Sequence, residues 1–90
     1  MIRFPLPEEH RYGIRPTHAL IHDGRTSHQD SMWLRVWQGA MRNKHPETGI
    51  EPTGVFDAAT VRAVVKIQEG NDLPPTGFLD RETWEISGID

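Results

Sequence analysis

The residue types best suited to chemistry in this chain are its five histidines and thirteen acidic side chains. His18 and His22 stand four apart, with Asp23 and His28 close by. On a helix that spacing puts both imidazoles on one face, where they could serve as metal ligands. Pro16 ahead of the pair and Asp23-Gly24 after it oppose a helix there, and neither His-Glu-x-x-His nor His-x-His occurs. No metal is therefore expected. Thiolate sites and disulfides are excluded outright, because the chain has no cysteine. Glu8, Glu9, Asp23, Glu47 and Glu51 fall in loops without the apolar flank that would lift one carboxyl into a general acid. No serine sits in a nucleophile elbow. These groups read as solvated surface charge, and neither a catalytic residue nor a cofactor is expected.

Ninety residues allow one domain with one modest core. Apolar residues are 36% of the chain and charged residues 26%, with a formal charge of −3. That balance excludes a phosphate-backbone binder, which needs clustered Lys and Arg. No apolar run approaches the roughly 20 residues of a membrane span. The opening MIRFPLPEEH is no secretory signal, since its short apolar run is broken by Pro5 and Pro7. A role outside the producing cell would need another means of delivery.

The elements that must position any site follow from periodicity. Residues 1–29 carry Pro5, Pro7 and Pro16 and no repeating pattern, and read as an extended arm. Phe4, Leu6, Tyr12, Ile14, Leu20 and Ile21 can pin that arm to a core. A helical domain is expected over 30–90. Asp30 reads as an N-cap, and Leu34, Trp37 and Met41 then recur at helical spacing. Arg42 and Lys44 suit the C-terminal end of this helix, and Pro46 stops it. Asp57 caps a second helix with Thr60, Ala63, Val64 and Ile67 on one face; Gly70-Asn71 ends it. Asp80 caps a short third helix bearing Trp84 and Ile86. The expected fold is all-α: a small three-helix bundle whose core is Leu34, Trp37, Met41, Ala63, Val64, Ile67 and Trp84. Val61 and Val65 lie off the core stripe. They await cover from the arm (through Phe4, Leu6 and Tyr12), from a ligand or from a partner protein.

The two loop-to-helix junctions read alike. Pro52–Thr60 is PTGVFDAAT and Pro75–Thr83 is PTGFLDRET, offset by 23 at each matched position, which is an internal repeat. Each glycine frees a turn, each aspartate caps a helix, and each threonine stands third in it. Gln38 and Gln68 follow core positions, and their amides are expected to hydrogen-bond the irregular loop backbones.

These residues together resemble the peptidoglycan-binding-like domain family, a three-helix module, over about residues 30–87. The resemblance is carried by Leu34, Trp37-Gln38 and Met41; by Thr53-Gly54-Val55-Phe56-Asp57, Thr60, Ala63-Val64 and Ile67-Gln68; and by Leu73, Thr76-Gly77-Phe78-Leu79-Asp80 and Thr83-Trp84. The lead-in Phe4-Pro5-Leu6-Pro7 with Tyr12-Gly13 looks like that of modules in actinobacterial phage lysins. The family's acidic residue before each turn glycine is Thr53 or Thr76 here, its second glycine is Asp57 or Asp80, and its apolar residue after the tryptophan is Ser87. Ile86 or Ile89 must then fill that place.

The resemblance implies a non-catalytic module that binds peptidoglycan, by its glycan or stem peptide, and targets a cell-wall hydrolase. The binding edge it implies is formed by Thr53, Gly54, Asp57 and Arg62 with Thr76, Gly77, Asp80 and Arg81. Such a module acts at the bacterial cell wall. The alternative is a phage virion protein, such as a decoration protein, that reuses the fold and reaches other phage or cell-wall proteins through its arm.

Overall fold

The computed structural model describes residues 2–14 and 19–89. Most of its regular structure is helical: α1 (His28–Lys44), α2 (Ala58–Gly70) and α3 (Arg81–Ile86), with a 3-10 turn at Pro46–Thr48. The expectation of an all-α fold needs one correction. A two-stranded parallel sheet joins β1 (Arg11–Tyr12) to β2 (Ile21–His22), with Arg11 opposite Ile21 and Tyr12 opposite His22. Strands two residues long leave no alternating pattern, and this pairing depends on packing by the rest of the chain.

The helix starts follow their caps. Asp57 and Asp80 are extended and accept hydrogen bonds from Thr60 N at 3.0 Å and Thr83 N at 2.9 Å. At α1 the expected cap is wrong. Ser27, not Asp30, is the N-cap, and its hydroxyl accepts from Asp30 N at 3.3 Å. Ser27-His28-Gln29-Asp30 is a Ser-x-x-acid start signal, with the acid in the first turn. Asp30 is thereby freed to face His22. The helix closes ahead of Pro46, where His45 N donates to Met41 O at 2.6 Å.

One apolar cluster lies between the helices. Leu34, Trp37, Met41, Ala63, Val64, Ile67 and Trp84 are all buried in it, with Ile50, Phe56 and Leu79 from the loops. Ile89 fills the place beyond Trp84, at 2% exposure, while Ile86 is 38% exposed. Ser87 ties the two central tryptophans: Trp37 Nε1 donates to Ser87 Oγ at 3.0 Å, and that hydroxyl donates to Trp84 O at 2.6 Å.

The N-terminal segment closes the cluster. Phe4, Leu6 and Tyr12 are buried in it, and the Phe4 ring stands edge-on to Trp84 with centroids 5.6 Å apart. Trp84 Nε1 donates to Ile2 O at 2.8 Å, and Ile2 N reaches Ile89 O at 3.4 Å. Tyr12 also exchanges backbone hydrogen bonds with Leu79, at 3.0 and 2.9 Å. β1 is thus held on one side by β2 and on the other by the loop that leads into α3. Further along, Gly24 has φ +86°, and a β-carbon there would fall 2.0 Å from Gly54 O. Only glycine permits that approach, which lets Asp23 O accept from Phe56 N at 2.9 Å.

A candidate binding groove beside the second helix

Two glutamines hold the loops that precede α2 and α3. Gln38 Nε2 donates to Val55 O and Thr60 Oγ1, both at 2.9 Å, while its Oε1 accepts from Gly54 N at 2.8 Å. Gln68 Nε2 donates to Phe78 O and Thr83 Oγ1 at 3.1 Å, and its Oε1 accepts from Gly77 N at 3.1 Å. The amide-to-loop role read from the sequence is therefore what both side chains perform. Gly54 and Gly77 share the same left-handed conformation, at φ +80° and +79°.

The loop before α3 runs along the outer face of α2. A β-carbon on Gly77 would stand 3.5 Å from Val61 Cγ1 and 3.9 Å from Val65 Cγ2. Those valines form the apolar wall of an open groove of about 840 Å³. It is lined also by Glu47 and Thr48 of the 3-10 turn, by His45 just before it, and by Ile67 and Asn71. Among the described residues lining it, none comes from the N-terminal segment. Cover of Val61 and Val65 by Phe4, Leu6 and Tyr12 is thus corrected, because those side chains are spent on Trp84 and the core.

The groove's polar groups are fixed by internal bonds. Arg62 Nε and Nη2 both donate to Thr48 O at 3.3 Å. Lys66 Nζ stands 3.0 Å from Glu47 Oε2, and His45 Nδ1 3.6 Å from the same oxygen. A hydrogen bond from its own backbone N–H, then Lys66, holds the Glu47 carboxyl below the usual carboxylate range. The rim is therefore zwitterionic, with an Arg62 fork that still has donors to offer.

The eight candidate binding residues do not form one surface. Arg62 lines this groove, and Gly77 packs against its valine wall. Asp80 and Arg81 border a separate concavity of about 220 Å³, shared with Phe4, His10 and Arg11. Thr53 Oγ1 accepts from Val55 N at 3.2 Å and lies 3.4 Å from Asp57 Oδ2, and Thr76 Oγ1 accepts from Phe78 N at 3.2 Å. Gly54 N is committed to Gln38, and the Asp57 and Asp80 carboxylates to their helix starts. Sequence reasoning missed Glu47, Thr48 and Lys66, whose only signal was the loop's nearness to α2. The two off-stripe valines were the visible clue.

Of the histidines, His18 lies outside the described residues. His22 faces His10 and Asp30. Among the described residues, no group of three or more His, Asp or Glu is placed to hold a metal ion.

A three-helix module with an open, apolar-walled, charge-rimmed groove has the form of a small binding domain. Residues 40–86, just over half of the chain, match the family described as "Putative peptidoglycan binding domain", and the chain belongs to that family. No curated protein and no solved structure matches it.

Proposed function

We propose that the chain binds bacterial cell-wall peptidoglycan, and that the groove between α2 and the 3-10 turn receives it. The observation that carries this reading is one of place: each groove-lining residue, from His45 to Asn71, falls within the family-matched span 40–86. Stem peptides offer short aliphatic side chains and carboxylates. The valine wall suits the first, and the free donors of Arg62 suit the second. Thr53, Gly54, Asp57, Thr76 and Asp80 then support the binding edge by holding its loops, and Arg81, over the Phe4 ring, stands apart from it. We also read the two Pro-Thr-Gly junctions as copies of one loop-and-helix unit, which their matching glycine conformations and glutamine clamps support. The role that follows is to hold a cell-wall hydrolase on its substrate, raising the local concentration of cleavable bonds. An origin in actinobacterial phage is part of the same proposal. The virion reading stays the alternative; the burial of Phe4, Leu6 and Tyr12 removes those three side chains from any contact it would make.

The test is co-sedimentation with purified peptidoglycan at low and moderate salt, for the parent and Val65→Glu. A glutamate there introduces charge into the apolar wall without opening the core, because Val65 is only half-buried. Binding of the parent should resist salt, and the variant should bind about tenfold more weakly, or ~1.4 kcal/mol, at unchanged circular dichroism. No binding by the folded parent overturns the function; equal binding by both proteins overturns the groove.

A further inference from the structure

We infer that His10, His22 and Asp30 form a proton-bridged clasp that fastens the N-terminal segment to α1 and opens under acid. His22 Nδ1 lies 2.6 Å from Asp30 Oδ2, and His22 Nε2 lies 2.8 Å from His10 Nδ1. The three residues come from three places: just before β1, within β2, and the first turn of α1. Two imidazole nitrogens at that separation need one hydrogen between them. The carboxylate can only accept, so His22 Nδ1 carries a proton toward it. In the neutral clasp His10 Nδ1–H donates to the lone pair on His22 Nε2.

One added proton fits this arrangement. His22 becomes an imidazolium paired with Asp30, and its Nε2–H now donates to His10 Nδ1. A second proton does not fit, because two N–H groups and two positive charges would then meet across 2.8 Å. A doubly protonated pair therefore loses the His10–His22 hydrogen bond, and acid weakens the clasp.

The surroundings bear on both rings. The Tyr12 ring stands edge-on to His22, with centroids 6.3 Å apart, and its phenol is pushed up by burial and by Asp30. The concavity beside His10 brings Glu9 and Arg11 from its own segment, and Asp80, Arg81 and Glu82 from the start of α3. These are charges of both signs, and among the described residues none of them hydrogen-bonds either imidazole.

The test is thermal unfolding from pH 7.5 to 4.5 of the parent and His10→Gln. The glutamine amide does not titrate: its N–H can donate to neutral His22 Nε2, and its carbonyl oxygen can accept from Nε2–H once His22 is protonated. Everything outside the clasp is common to both proteins and cancels in the comparison. The parent should lose several degrees more than the variant over this acidification. Parallel curves overturn the clasp. Should the variant fail to fold, imidazole nitrogen NMR on the parent decides: a coupled two-stage titration of His10 and His22 supports the clasp, and two independent single-step titrations overturn it.

Discussion

At the residue scale, buried polar atoms show which side chains the fold depends on. Tyr12 is fully buried, and its hydroxyl has no hydrogen-bond partner among the described residues. Burial first, and Asp30 second, raise its ionisation above the usual phenol value near 10. The unfolded phenol ionises first as pH rises, while the folded one stays neutral. The stability this contributes is complete below about pH 10 and is lost progressively above it. Tyr12→Phe should therefore melt near the parent at pH 7 and lose less stability between about pH 10 and 11. Paired thermal melts check this, and phenolate absorbance reports the titration directly because Tyr12 is the only tyrosine. Identical alkaline slopes would refute it. The two glutamine clamps were legible in the sequence, since loops of Pro, Thr and Gly need fixed partners and each glutamine follows a core position. The bond from Trp37 to Ser87 was not, because it joins residues 50 apart and depends on how α1 and the chain end pack.

At the element scale, local chemistry decides where helices begin. Asp57 and Asp80 were legible because each stands between a Gly-apolar-apolar turn and a helical pattern. Asp30 misled because Ser27, three residues earlier, offered the better extended cap and left the acid for the first turn. Removing a cap costs about 1 kcal/mol. That amount matters more in α3, with six residues, than in α2, with thirteen. Asp80→Ala should thus expose Trp84 and quicken amide exchange across Arg81–Ile86, while Asp57→Ala lowers the melting midpoint and leaves α2 protected. Exchange that rises equally in both helices would contradict this ranking. The small sheet lay beyond local reading, since its strands are two residues long and β1 is also held by Leu79, far along the chain.

At the scale of the whole molecule, the core spans nearly the full chain. Phe4 meets Tyr12 and Trp84 edge-on, and Ile2 O takes the Trp84 indole proton. The apolar residues of the arm were legible as anchors, but their target was not. Nothing local distinguishes cover for the α2 valines from a lid over Trp84. Phe4→Ala should cost about 3 kcal/mol, a large share of what a domain of this size holds. Urea unfolding followed by tryptophan fluorescence measures it, and a loss below about 1 kcal/mol would mean the segment is a loose cover.

The contact of Ile2 N with Ile89 O, at 3.4 Å, has a consequence for engineering. It sets the first and last described strands of chain side by side, as at the neck of a bag. A polypeptide entering this module leaves it from the same spot. The module can therefore be spliced into an exposed loop of a host protein without prying that loop apart, or have its ends joined by a short bridge and be reopened elsewhere. The groove beside α2 would remain whole in either case provided the new opening avoids residues 45–71, which line it, and the loop around Gly77, which packs on its valines.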